Sequence, residues 1–274
     1  MTSESDAVLK ILRDRGVLEP LTLGVVLGSG LSNVGEVLED AVVVPYADLP
    51  GFPTRGVSGH AGELAIGQLE GQVVAMLKGR SHYYERGDAT GMRVPLEVLA
   101  GLGCPTLLAT NAAGSLHPDW YPGSLALISD HIAFSGLNPL IGSDGDDRFV
   151  SMANAYDSRL RLRLKRAATA ASVANMREGI YMMFSGPSFE TAAEVRMAKL
   201  LGADLVGMST VPEVILARHH GMKVAGISVI TNFGTGIAGG NPSHGETKQV
   251  ALSGSVAFKR LLRAFARTTD VITA

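Results

Sequence analysis

Nine short apolar runs, at 23–27, 42–44, 64–69, 73–77, 106–109, 125–128, 181–184, 205–208 and 224–230, recur along the chain. They are rich in β-branched residues and bounded by Gly, Pro or Asp, which predicts buried strands. Helix-length segments lie between many of them, at 4–15, 92–102, 156–174, 190–201, 211–221 and 245–267. In the last of these, Val250, Leu252, Val256, Leu261, Leu262 and Phe265 follow a roughly helical period. Strands alternating with helices predict an α/β protein with a central sheet flanked by helices. The runs 64–69 and 73–77 are joined by Glu70-Gly71-Gln72, which predicts a hairpin and therefore a mixed sheet.

No Pro- or Ser-rich linker and no repeat divides the 274 residues, so one domain over 1–274 is expected. Hydrophobic residues at 46% suffice for a large core and exclude wholesale disorder. The charge sum of 24 − 26 = −2 argues against coating nucleic acid or an anionic membrane. The start, Met1-Thr2-Ser3-Glu4-Ser5-Asp6, is acidic and unlike a secretion signal, and no run approaches membrane-helix length. A cytoplasmic location is the expectation. The lone Cys104 sits in an apolar context and reads as a small buried hydrophobe.

Polar and glycine-rich clusters follow the strands. Gly28-Ser29-Gly30-Leu31-Ser32-Asn33 follows the first, where backbone N–H groups and the Ser29 hydroxyl could hold phosphate oxygens. A dinucleotide fingerprint would need glycine at Asn33 and an acid ending a second strand, and Asp48 sits in loop-like sequence. In Gly79-Arg80-Ser81-His82, Arg80 offers a planar fork for phosphate, with His82 two residues on; Arg80 paired with Glu85 is the alternative. Thr110-Asn111-Ala112-Ala113-Gly114-Ser115 brings small residues to a strand end. Phe189 and Glu190 precede a helix start marked by the capping-box spacing Thr191/Glu194; Met208 and Ser209 precede another at Thr210/Glu213. Asn232 ends the last strand and can both donate and accept, which suits the edge of a heterocycle. Taken alone, the 28–33 cluster fits a tight turn as well as a ligand site, Arg80 and His82 fit a structural role slightly better, and the place of Glu190 outside the helix favours a ligand.

Metal and nucleophile chemistry finds little purchase. His219 and His220 are neighbours that do not face one site on a helix, and HExxH, CxxC and Gly-x-Ser-x-Gly are all missing. The loop Gly142-Ser143-Asp144-Gly145-Asp146-Asp147-Arg148 lacks calcium-loop spacing and reads as solvated.

Taken together and in order, seven segments resemble the trimeric purine nucleoside phosphorylase family: Gly28-Ser29-Gly30-Leu31, Gly59-His60-Ala61-Gly62, Gly79-Arg80-Ser81-His82, Thr110-Asn111-Ala112-Ala113-Gly114, Gly186-Pro187-Ser188-Phe189-Glu190-Thr191, Gly207-Met208-Ser209-Thr210-Val211-Pro212-Glu213 and Ile230-Thr231-Asn232. The resemblance implies phosphorolysis of purine nucleosides to free base and (deoxy)ribose 1-phosphate, with phosphate as co-substrate and no metal or cofactor. It implies phosphate at Ser29, His60, Arg80, His82, the Ala112 backbone and Ser209. Purine would meet Tyr181, Phe189, Glu190 and Asn232, and ribose would meet Tyr84, Met208 and His244. Phe149 would reach a neighbouring subunit's ribose, implying a homotrimer. Asn232, Glu190 and His82 are the catalytic candidates.

Related methylthioadenosine phosphorylases carry Asp at the position of Asn232, so Asn implies 6-oxopurines. His244, suited to a 5′-hydroxyl, also speaks against a 5′-methylthioadenosine substrate. Ser81, Tyr83 and the glycine-rich 233–243 loop depart from the mammalian pattern and leave a xanthosine preference open. A binding protein that has lost catalysis would have shed Arg80, Ser209 or Asn232, and all three are present.

Overall fold

A computed structural model describes residues 1–18, 20–54 and 61–268. Every apolar run named above lies within or overlaps a strand: β1 (Leu23–Val26), β2 (Glu39–Pro45), β3 (Glu63–Leu69), β4 (Gln72–Leu77), β5 (Thr106–Ser115), β6 (Leu125–Ile132), β7 (Arg177–Met183), β8 (Leu205–Gly207) and β9 (Lys223–Phe233). The helices are α1 (Ser3–Asp14), α2 (Tyr83–Arg86), α3 (Arg93–Gly101), α4 (Ser158–Ala170), α5 (Ala192–Leu200), α6 (Val211–His219) and α7 (His244–Ala266).

The sheet order is β2-β3-β4-β1-β5-β8-β7-β6-β9, and β9 pairs back onto β5. Strands β5, β8, β7, β6 and β9 therefore close into a ring. The sheet is mixed: β1 runs parallel to β4 and β5, and β5 to β9, while β3–β4 is the expected antiparallel hairpin. Alternation along the strands supplies both faces with apolar side chains. Val26, Ala75, Leu77 and Leu107 join one core with α1, α3 and α6. Leu23, Val25, Val74, Met76 and Leu108 join the other, with α4 and α7.

Two strands outrun their apolar runs. The cluster 110–115, expected as a strand-end turn, is the second half of β5, because β9 pairs with it throughout. β9 likewise continues through Asn232 to Phe233. Between them the register jumps from Ala113↔Ile230 to Gly114↔Asn232, leaving Thr231 as an extra residue. Such a bulge re-aims the residues beside it. Cys104 is buried as expected; its thiol donates to the Thr106 carbonyl at 3.2 Å, and burial pushes its pKa up to about 12.

Candidate active site

A cleft opens at the carboxyl ends of β1, β4, β5 and β9 and at the segments after β7 and β8. Sheet proteins of this class present ligand sites at strand carboxyl ends. Its wall includes Ser29, Arg80, His82, Tyr84, Ala112, Phe189, Glu190, Met208, Ser209, Asn232 and His244. These eleven are residues singled out from the sequence, drawn from seven separate segments.

The turn after β1 is pinned at both ends. Gly28 N–H donates to Thr110 Oγ1 at 2.9 Å, and that hydroxyl donates to the Val26 carbonyl at 2.8 Å. Gly30 has φ +78°, and a Cβ there would stand 2.7 Å from Ala251 Cβ on α7. Only glycine satisfies both the dihedral and the packing.

Arg80 is 2% exposed and deeply tied into the protein. Its guanidinium donates to the Thr110 carbonyl and, at 3.1 Å, to Thr210 Oγ1, and it lies 3.0 Å from Glu213 Oε1. Asn111 Nδ2 also donates to Thr210 Oγ1, at 2.9 Å. This corrects two expectations. Glu85 is not the partner of Arg80, because Glu85 accepts from His82 N–H at 2.8 Å and pairs with His82 Nδ1 at 2.9 Å. Thr210 and Glu213 do not form a capping box, because both side chains are spent on Arg80. Thr210 instead has φ +77° and ψ −48°, with Val211 N–H donating to the Ser209 carbonyl at 2.9 Å. That is a γ-turn of the rare, strained hand. It turns Thr210 inward beside Ser209. The Thr191/Glu194 capping box does form, at the start of α5.

For Glu85, burial works to raise the pKa, but the hydrogen bonds from His82 outweigh it and hold the carboxyl below its ordinary range. A carboxylate on Nδ1 makes that nitrogen the donor of the ring and leaves Nε2 as acceptor when His82 is neutral. The ring stacks on Tyr84 at 4.8 Å between centroids. Burial pushes the Tyr84 hydroxyl up to about 12, so it is a neutral donor at physiological pH.

Glu190 lies just before Thr191, the cap of α5, as the spacing predicted. It is 6% exposed, and its Oε1 is buried with no hydrogen-bond partner among the described residues. Burial, with Glu194 adding to it, raises its pKa above the ordinary carboxylate value. Asn232 accepts from Thr231 Oγ1 at 2.9 Å and donates through Nδ2 to the Phe233 carbonyl, also at 2.9 Å. That fixes the amide's orientation and leaves one N–H and one lone pair for a ligand. A Cβ at Gly114 would stand 3.0 Å from Asn232 Nδ2, so glycine makes room for this amide.

Two candidates lie elsewhere. Tyr181, expected near the purine, is fully buried behind the wall, because its hydroxyl accepts from Ser209 N–H at 3.2 Å. Phe149 is 75% exposed in a separate shallow depression with Asn138, Leu140 and Ile141. His60 falls outside the described residues. The sequence reading missed the roles of Thr210 and Glu213, whose spacing imitates a helix cap, and it missed Thr247 and Lys248 in the cleft wall. A cation five residues into a helix carries no motif signal.

The profile of the Phosphorylase superfamily matches residues 22–267. Purine nucleoside phosphorylase 1 of Geobacillus stearothermophilus is 44% identical over 248 residues, 89% of this chain and 90% of the relative. The crystal structure of Schistosoma mansoni purine nucleoside phosphorylase in complex with inosine superposes at TM-score 0.88 and 31% identity, covering 96% of this chain and 95% of that one. The same organism's enzyme in complex with adenosine superposes at TM-score 0.89 and 31% identity, covering 97% and 96%.

Proposed function

The chain belongs to the phosphorylase superfamily, and we propose that it catalyses the reversible phosphorolysis of purine nucleosides to free base and (deoxy)ribose 1-phosphate. The observation that carries this reading is the pairing, in one cleft, of two complementary sets. Glu190, with an unpartnered buried oxygen, and the fixed amide of Asn232 suit the edge of a purine. Ser29, Arg80, Ala112 and Ser209 suit a phosphate.

In the forward reaction a phosphate oxygen attacks C1′ and the C1′–N9 bond breaks, its electron pair leaving with the base. Positive charge grows on the sugar and negative charge on the purine. Asn232 donates to N7 as that charge develops, and Glu190 accepts from the N1–H of a 6-oxopurine. Groups aimed at developing charge stabilise the transition state more than the ground state. Glu190 accepts most strongly when ionised, and the substrate N–H supplies the hydrogen bond that its buried oxygen lacks. Ser29, Ser209 and the Ala112 N–H orient phosphate, with Arg80 beneath as a fixed cation. His82 positions phosphate, and Phe189 packs on the base. Tyr84, Met208 and His244 line the ribose, the last near its 5′-hydroxyl.

Asn232 favours inosine, guanosine and their deoxy forms over adenosine. The working unit is a cytoplasmic homotrimer in which Phe149 completes a neighbour's ribose pocket. Phosphate is itself the nucleophile, so the proposed chemistry calls on no metal or cofactor, and activity is expected to survive a chelator.

Free base released from inosine, guanosine, xanthosine, adenosine and 5′-methylthioadenosine, each with and without phosphate, tests the reading. Phosphate-dependent release from inosine and guanosine is expected. Release from the adenine compounds alone would overturn the role given to Asn232.

A further inference from the structure

Among the described residues, two Lys or Arg side chains line the cleft, Arg80 and Lys248, and they differ in what faces them. Arg80 lies 3.0 Å from Glu213, with both side chains at most 2% exposed, so a buried carboxylate offsets its charge. Lys248 is half-buried on α7 and has no carboxylate or hydrogen-bond partner among the described residues. Among the described residues it is the cleft's uncompensated lysine or arginine charge.

Its place on the helix sets which part of the cleft it serves. Lys248 follows His244 by four residues, so both present to the same face of α7. Its own carbonyl lies 3.2 Å from where a Cβ at Gly30 would stand, with Ala251 packed on the same point. This stretch of α7 therefore lies directly on the Gly28-Ser29-Gly30 turn, the anion-binding end of the cleft. A flexible four-carbon stem carries the ammonium as a mobile point charge, free to follow a ligand.

The geometry points to Lys248 as a phosphate-binding residue: its ammonium contacts an anionic oxygen of the co-substrate and, in the reverse direction, of the sugar 1-phosphate. Resting on the phosphorolysis reading, this assigns the net attraction for phosphate to Lys248, while the neutralised Arg80–Glu213 pair supplies orientation. An unpaired half-buried cation beside a cradle of neutral donors is the arrangement in which a charge-assisted bond counts most.

The test uses Lys248→Met, which keeps the stem and the helix propensity, and Lys248→Arg, which keeps the charge. For Lys248→Met the KM of phosphate is expected to rise about ten-fold while the KM of inosine stays within about two-fold. The dissociation constant of inorganic phosphate, measured by calorimetry without nucleoside, should weaken in parallel. Lys248→Arg should recover most of the loss, and added salt should weaken phosphate binding to the wild type more than to Lys248→Met. A phosphate KM and dissociation constant changed less than about three-fold in Lys248→Met would overturn the assignment. So would unchanged phosphate binding together with lost binding of inosine 5′-monophosphate, which would make Lys248 a reader of a 5′ anion. Wild-type protein that binds phosphate through Lys248 yet cleaves no nucleoside would sink the phosphorolysis reading and leave this one standing.

Discussion

Glu190 holds a carboxylate where water is scarce, and burial raises its pKa. The unfolded chain releases that proton at lower pH than the folded one. Stability due to the neutral form is therefore present below the unfolded pKa and is lost as pH rises through the raised folded value. Glu190→Gln is thus expected to raise the Tm of the unliganded protein at pH 8, with the gain vanishing at pH 4. Substrate binding has the opposite dependence, because the ionised carboxylate accepts from N1–H more strongly than the neutral acid does. The KM of inosine should rise as pH falls through the raised value, and Glu190→Ala should lower kcat/KM for inosine by about 100-fold or more. Near-normal turnover in that variant would remove Glu190 from the site. Asn232→Asp exchanges an amide donor for an acceptor and is expected to shift the ratio of adenosine to inosine turnover toward adenosine. An unchanged ratio would show that another group reads the 6-position.

Elements position these residues through irregularities rather than through regular structure. The Thr231 bulge lets two consecutive residues of β9 reach one cleft, and Gly114 on β5 gives Asn232 its space. In Gly114→Ala the new Cβ must displace the amide by a few tenths of an ångström. The expected result is a fall in kcat/KM for inosine of about ten-fold with a small loss of Tm, since displaced contacts cost precision before stability. An unchanged kcat with a large Tm loss would assign Gly114 to packing alone. The strands themselves were legible because β-branched runs between turn residues leave a buried sheet as their best use. The extension of β5 through Asn111 and Ala112 was not, because small polar residues carry no strand signal and pairing with β9 supplies it. Nor was the Arg80–Glu213 pair: Thr210 and Glu213 have the spacing of a helix cap, and only the fold brings Arg80, 130 residues from Thr210 in sequence, against them.

At the scale of the whole molecule, the site as described is built from this chain's own cleft, and Phe149 stands outside it, exposed and beside Arg148. An aromatic ring held in solvent next to other apolar side chains marks a contact surface. The proposed trimer gives it one. Sedimentation is expected to return the mass of three chains, and Phe149→Ala should raise the KM of inosine while the phosphate KM holds. A monomer with full activity would contradict that assembly. Six of the seven segments that carry the resemblance contribute residues to the cleft, whereas the charge balance within it is visible only in the fold: Lys248 gains its meaning only once Glu213 is seen to offset Arg80.

In the proposed reaction the glycosidic bond is broken by phosphate and not by water. Phosphorus NMR of inosine and inorganic phosphate, with the enzyme added, reads that directly. A new sugar 1-phosphate resonance is expected to grow one for one with free hypoxanthine as inorganic phosphate declines. Hypoxanthine appearing with free ribose, with the phosphate signal constant, would contradict it.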